Sequence, residues 1–247
     1  MSPESPPTLS VCQPTPRPSK PLLPNIEITP VGPDTLPAYR RLITTLLPIR
    51  YPDKFYKDSV ANTTSSSLAL CAVWRHSPEN RRQGGTENVP EPTVVGGIQC
   101  RLEPLPIPPT ESTPVRSMQT VYIQTLAVLS PYRSLGIATA LLDTIITTAI
   151  TYYSNTTDNV TEIYAHVWEA NEEALGWYVK KGFTVENAVL EGYYRKLRPT
   201  GARVVRRRLG VGDWLRARDL KADEDMEINE AVGSTSISNE IDKKANG

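Results

Sequence analysis

Arg133, Gly136 and Ala138 follow one another in the spacing Arg-x-x-Gly-x-Ala, between an apolar run (residues 121–129) and an amphipathic one (residues 138–153). That order predicts a strand, a tight turn and a helix. The chemistry open to such a turn is anion binding. A helix N-terminus presents N–H groups with no helical acceptor, together with the positive end of the dipole. Gly136 lets the backbone approach a phosphate with no Cβ in the way. Ala138 keeps the next turn open, and Arg133 adds charge. A glycine near a helix start is common, so the motif alone also fits an ordinary helix entry. A second predicted strand and helix follow at residues 162–168 and 171–181, ended by Gly182, and this context favours a binding turn.

Few other residues offer chemistry. The chain has two histidines and three cysteines. His166 falls mid-strand, where a hydrogen-bonded core histidine is the ordinary occupant. His76 falls in a polar loop and is given no role. Tyr122 fits simple packing, since tyrosine is a good strand former. Cys12, Cys71 and Cys100 are too far apart to suggest zinc or a disulfide framework. The expectation is a reducing compartment and no metal.

The elements that must position these groups can be placed by period. Residues 25–30 alternate as a first strand. Asp34 is a candidate N-cap for a helix whose apolar face is Leu36, Tyr39, Leu42, Ile43 and Leu46. Pro48 stops it, residues 47–52 form a loop, and residues 53–57 open a shorter helix. Strands are predicted at 68–74 and 93–102, with polar, Gly- and Pro-rich insertions at about 75–92 and 103–118. Residues 183–190 and 202–209 read as a closing pair of strands. Residues 1–24 form a Pro-rich extension expected to be disordered. Residues 210–247 read as a charged, disordered tail, with a short helix possible at 213–216. The middle, 25–209, is therefore one domain of mixed strands and helices, α/β or α+β.

The 247 residues carry 27 Lys plus Arg against 27 Asp plus Glu, so net charge gives no general pull towards nucleic acid or membrane. Charge is uneven along the chain, Arg-rich at 203–218 and acidic at 223–230. Residues 1–13 lack the pattern of a signal peptide. No apolar run is long enough to span a bilayer. A cytoplasmic protein is expected, with a nuclear pool allowed.

Five stretches occur in an order that is specific: Tyr122-Ile123-Gln124-Thr125-Leu126; Pro131-Tyr132-Arg133-Ser134-Leu135-Gly136-Ile137; Ile163-Tyr164-Ala165-His166-Val167; Asn171-Glu172-Glu173-Ala174; and Tyr178-Val179-Lys180-Lys181-Gly182-Phe183. Together they resemble the GCN5-related N-acetyltransferase (GNAT) superfamily. Residues 47–58 and 192–196 narrow the resemblance to the catalytic-subunit type of the N-terminal acetyltransferase E complex (NatE). It covers roughly residues 26–209.

The resemblance implies a mixed, twisted sheet in which two central parallel strands splay apart and admit acetyl-CoA. Backbone groups of Leu126, Ala127 and Val128 would pair with the pantetheine arm. Arg133, Ser134, Leu135, Gly136, Ile137, Ala138 and Thr139 would hold the pyrophosphate. Asn171 and Tyr178 would line the thiol end. Tyr122 and His166 would hold a water that acts as general base. Leu47, Pro48, Ile49, Tyr51, Gln124, Tyr193 and Tyr194 would form the groove for a peptide N-terminus that retains methionine, with tyrosine hydroxyls bonding the peptide backbone. Implied partners are nascent polypeptide N-termini and the auxiliary and catalytic subunits of a NatA/NatE assembly, near the ribosome and away from membranes.

Three positions depart from the pattern. Leu47 stands where Phe is commoner, Gln124 replaces Met, and Ala138 replaces Gly. Two other readings stay open. One is a mainly structural subunit, suggested by the tails and the Arg-rich segment. The other keeps the fold but acetylates a lysine or a small amine, whose higher pKa of about 10.4 asks for a stronger base.

Overall fold

The central sheet is built from seven strands, and its order follows from where the chain can turn back. The computed structural model describes residues 22–61, 68–75, 92–105, 118–153 and 159–219. Cys12, His76, the extension 1–21, the tail from 220 and most of both insertions lie outside the described residues. Strands β1 (Ile26–Pro30), β2 (Ala69–Trp74), β3 (Thr93–Pro104) and β4 (Met118–Val128) are joined antiparallel in sequence order. The 17-residue helix α3 (Ile137–Tyr153) then carries the chain across, so β5 (Asn159–Trp168) lies parallel to β4. Strands β6 (Thr184–Leu190) and β7 (Ala202–Arg208) close the far edge, giving the order β1-β2-β3-β4-β5-β7-β6. This is the expected single mixed α/β domain.

Two apolar layers cover the sheet. On one face, Leu141, Leu142, Ile145, Ile146, Ala149 and Ile150 of α3 pack on Val121, Ile123, Ile163 and Ala165. On the other, Tyr39, Leu42 and Ile43 of α1 (Leu36–Leu46) pack with Phe55 and Tyr56 of α2 (Asp53–Asp58) on Ala69, Cys71 and Val94. A Cβ on Gly97 would come within 2.5 Å of the Tyr39 ring, so glycine is what lets α1 lie so close to β3. One buried polar chain threads this layer. The Tyr39 hydroxyl lies 3.3 Å from Thr125 Oγ1 and donates to Gln99 Oε1 at 3.4 Å. Gln99 Nε2 donates in turn to the Phe55 carbonyl at 2.9 Å. It ties α1 and α2 to β3 and β4.

Several boundaries differ from expectation. The cap of α1 is Thr35, not Asp34, and Thr35 makes no cap bond. Its hydroxyl is held by the Gly32 turn instead, accepting from the Gly32 N–H at 2.9 Å. Strand β3 runs on through Glu103 and Pro104, and β4 begins at Met118, so the second insertion is shorter than 103–118. A proline is tolerated at the end of a ladder, where its missing N–H costs little. Strand β5 starts at Asn159 rather than 162. A helix, α5, spans 211–219, past the expected end of the domain at 209. Tertiary contacts hold it: Ala217 is buried, Trp214 packs on the core, and Asp213 pairs with Arg207.

Candidate active site

Strands β4 and β5 pair only as far as Ile123 and Ala165. Beyond that point β4 stays with β3, while His166, Val167 and Trp168 pair with Val204, Arg203 and Ala202 of β7. The two parallel strands therefore part, and the β5-facing edge of β4 from Gln124 onward has no strand partner. The Leu129 N–H donates to Val95 O on β3. Alternation along the strand then turns the backbone groups of Leu126 and Val128 into the gap. Their side chains pack towards α3, and that of Ala127 is buried on the α1 face.

A bulge marks the parting. Gln99 faces Thr125 and Cys100 faces Ile123, so Gln124 is an extra residue on β4. Bulges re-aim side chains and end pairing. Before it Ile123 faces α3; after it Leu126 and Val128 do. The Gln124 carbonyl, freed from the ladder, accepts from the Tyr51 hydroxyl at 3.0 Å.

At the far end of β4 a 3-10 turn, Ser130–Tyr132, leads into the motif. Ser134 has φ 61° and Gly136 φ 88°, both left-handed. For Ser134 that conformation is uncommon, as befits a functional turn. The first helical bond is Ala140 N–H to Gly136 O. The N–H groups of Ile137, Ala138 and Thr139 therefore have no helical acceptor and crown the opening of the gap. Ile137 is buried and Leu135 packs against the core, which fixes the helix start while Ser134 and Arg133 stay exposed. Arg133 reaches across to Glu173 at the start of α4 (Glu172–Lys180), at 3.8 Å. A pyrophosphate fits this turn: donors without a helical acceptor, a dipole end, and at the rim the exposed Arg133, held loosely by Glu173.

Tyr122 lies opposite Tyr164 in the parallel register, their rings stacked at 4.9 Å. Two residues on, His166 shares that face, and its Nδ1 is 3.1 Å from the Tyr122 hydroxyl. The Tyr122 oxygen also lies 2.9 Å from that of Tyr193. Burial lowers the His166 pKa from its usual 6.5, so the ring is neutral at pH 7. Burial raises the Tyr122 pKa, with the Tyr193 bond adding to it, so the phenol stays protonated. With Nδ1 accepting, a consistent chain runs Tyr193 O–H to Tyr122 O–H to His166. Hydroxyl and imidazole thus touch directly.

The expected peptide residues surround this chain. Tyr193 stacks on His166 at 4.6 Å, and the Tyr194 hydroxyl donates to the His166 carbonyl at 3.0 Å. Pro48 and Ile49 join Tyr193 and Tyr194 around a cleft of about 270 Å³. Leu47, Pro48, Ile49 and Tyr51 line an adjoining one of about 510 Å³. One expectation changes: the hydroxyls of Tyr51, Tyr193 and Tyr194 all bond within the protein, so a peptide meets them as acceptors. Asn171 accepts from the Ala174 N–H and so caps α4. Tyr178 is buried between Trp177 and Phe183.

The sequence reading missed a ring of charge behind Tyr122. The Tyr164 hydroxyl donates to Glu103, which pairs with Arg101; Arg101 lies over the Tyr122 ring, 5.1 Å from its centre. Arg206 covers Tyr164 and pairs with Glu162 and Glu186. Alternation puts Glu162, Tyr164 and His166 on one face, and that signal was available. Their meeting with Glu103 and Arg206 depends on register, which was not. Among the described residues no group of three or more His, Cys, Asp or Glu could hold a metal.

Comparison with known proteins adds to this geometry. N-alpha-acetyltransferase 50 of Danio rerio is 30% identical over 74% of this chain and 89% of its own length. The probable N-acetyltransferase san of Drosophila melanogaster is 28% identical over 75% of this chain and 82% of its own. The solved structure of Arabidopsis thaliana Naa50, in complex with the bisubstrate analogue CoA-Ac-MVNAL, has 30% identity and a TM-score of 0.53, covering 74% of this chain and 98% of that one. Arabidopsis thaliana NAA60 with a bisubstrate analogue, at 23% identity and TM-score 0.54, shares the fold over 75% of this chain and 99% of its own. The model of the acetyltransferase (GNAT) family matches residues 50–183, from the groove loop through the splayed strands to the end of α4. With an anion-binding turn, a parted strand pair and a tyrosine–histidine contact inside that match, the chain belongs to the GNAT acetyltransferase family.

Proposed function

We propose that this acetyltransferase moves acetyl from acetyl-CoA to the α-amino group of protein N-termini that retain methionine. The observation that carries the reading is the Tyr193–Tyr122–His166 chain, which stands where β4 and β5 part and where the peptide cleft begins. Likeness to proteins named N-alpha-acetyltransferase 50 and Naa50 supports it.

Acetyl-CoA would supply the thioester carbon that the amine attacks directly; the C–N bond forms, the C–S bond breaks, and CoA leaves as a thiolate that takes up a proton, with no covalent enzyme intermediate. Residues Arg133 to Thr139 bind its pyrophosphate, and Leu126 to Val128 offer backbone groups to its pantetheine arm. Asn171 and Tyr178 stand towards its thiol end. The amine must be neutral to attack. A terminal α-amino group has a pKa of roughly 7.7–8.0, so a mild base suffices. A water against Tyr122 and His166 takes the proton. Because the two side chains touch, Tyr122 can receive a proton while passing its own to His166 Nδ1, which is neutral and free to accept. The N–H near Leu126 polarises the carbonyl oxygen. Leu47, Pro48 and Ile49 offer the methionine side chain an apolar wall, and the aromatic rings of Tyr51, Tyr193 and Tyr194 set the peptide's register. Work on nascent chains, alongside NatA/NatE-type subunits in the cytoplasm, is the setting this reading proposes.

Part of the Arg-rich segment behind the scaffold-only alternative is taken up within the protein. Arg206 and Arg207 of the Arg-rich segment are spent on Glu162, Glu186 and Asp213. The test is CoA release from acetyl-CoA with a Met-Leu peptide, set against the same peptide blocked at its α-amine and carrying a lysine. Turnover of the free peptide alone supports the proposal. No turnover, or equal turnover of the blocked peptide, overturns it.

A further inference from the structure

The two clefts beside Tyr193 share Pro48, Ile49, Arg50 and Lys196, so they are lobes of one concavity. Their walls are unusual in charge. Arg40, Arg50, Arg195 and Lys196 line them, and no aspartate or glutamate does. Arg40 is neutralised by Asp53. Arg50, Arg195 and Lys196 are exposed, and among the described residues none has a carboxylate within ion-pair distance. On the neighbouring strands Arg101 is matched by Glu103 and Arg206 by Glu162. Three unmatched cations therefore converge on one concave surface. They converge there from two separate loops, residues 47–52 and 191–201, so they are not a run of neighbours that happens to be basic.

The position of this rim sets its meaning. Tyr193 joins it to the catalytic chain through the Tyr122 hydroxyl. Arg195 and Lys196 follow Tyr193 in a loop that turns at Tyr194–Leu197, which keeps them on the same cleft, and an extended peptide leaving Tyr122 advances about 3.3 Å per residue along it. A peptide whose amine lies at Tyr122 thus meets these cations a few residues behind its first. We propose that Arg50, Arg195 and Lys196 make this enzyme selective for N-termini bearing carboxylates at about the third to fifth positions. The inference rests on the N-terminal acetyltransferase reading above and names its substrate class. The first residue is set by the apolar wall, and the charge of the following segment by the rim. Because the cations are exposed, they act more on encounter and on KM than on the chemical step.

The experiment uses the full chain, acetyl-CoA and free peptides that share Met-Leu and differ at positions three to five, carrying Asp, Gln or Lys. At low salt the Asp peptide should exceed the Gln peptide in kcat/KM by about tenfold, mainly through KM, with the Lys peptide lowest; exposed pairs each contribute only a few-fold. The gap should shrink to within about twofold near 0.5 M salt, where screening is short-ranged. Combining Arg50→Ser, Arg195→Gln and Lys196→Gln should bring the Asp-to-Gln ratio close to one and leave the KM for acetyl-CoA in place. Equal use of Asp and Gln peptides by the wild-type enzyme overturns the inference while leaving the function reading intact. A ratio unmoved by the triple variant, or a shift in the acetyl-CoA KM instead, overturns it as well. Should no peptide turn over, the function reading falls, and anisotropy of labelled Asp and Gln peptides still decides whether the rim selects acidic chains.

Discussion

Two tyrosine-centred polar chains lie on β4, one on each side of the Gln124 bulge, and they differ in what stands at their ends. The Thr125–Tyr39–Gln99 chain ends on a backbone carbonyl, and Tyr39 is 0% exposed. The His166–Tyr122–Tyr193 chain ends on Tyr193, which is 37% exposed. A closed chain can only hold elements together. One with an open end can exchange a proton with something that comes and goes. The open outlet, together with a histidine at the inner end that can take a proton where Thr125 and Gln99 cannot, is what separates chemistry from scaffold here.

The sharpest way to break this comparison is to remove one hydroxyl from each chain. Tyr122→Phe and His166→Gln should each lower kcat/KM by about 10²-fold, in keeping with a lost acid–base group, with a melting temperature near that of wild type. Tyr39→Phe should do the reverse. It should cost about 1–2 kcal/mol in denaturant unfolding and change kcat/KM by only about twofold, because the partners of a buried hydroxyl are left short. Equal kinetic damage from both would erase the distinction. A smaller loss is expected at the anion turn: Gly136→Ala forces a side chain to φ 88° and should raise the acetyl-CoA KM by about tenfold.

A pH profile sharpens the same contrast. The folded His166 pKa lies below 6.5, so activity should fall only at pH values lower than an ordinary histidine would give. That acidic limb should vanish in His166→Gln, leaving the amine's own ionisation near pH 8. Stability follows with its own sign. Between the depressed folded value and 6.5 the unfolded chain binds the proton more readily, so stability should drop as pH falls through that window. The mildest effect belongs to Tyr193→Phe. It removes the outer link but keeps the ring on His166, and a loss of about threefold in kcat/KM would mark Tyr193 as positioning the pair.

What the sequence made legible was local. The strand, turn and helix around Arg133 to Thr139 are written in adjacent residues, as is the Asn171 to Gly182 helix with its cap and terminator. The site's pairings were legible only through family resemblance, since nothing in the spacing of Tyr122 and His166 says that β4 and β5 run side by side. The failures share a cause. Glu103 was read as loop because Pro104 and the prolines after it look like punctuation, yet the ladder to Gln119 and Thr120 holds both in β3. Helix α5 was reduced to four residues because its stability comes from Ala217 and Trp214 meeting a core laid down far earlier in the chain. Asp34 looked like the better cap, but Thr35 already serves the Gly32 turn.

The bulge at Gln124 has a consequence for how this strand can vary. Strand β4 counts its side chains in one phase up to Ile123 and in the opposite phase from Thr125 onward. Replacing Gln124 is cheap, because its contribution is an extra peptide unit and a carbonyl for Tyr51. Deleting it would leave the faces intact: with Ile123 followed directly by Thr125, Tyr122 and Thr125 keep the α1 face, and Ile123 and Leu126 keep the α3 face. What a deletion removes is the kink in β4 and the carbonyl that holds Tyr51. A gap in this strand would therefore leave the core as it is and change the opening, so the length of β4 belongs to the site and not to the fold.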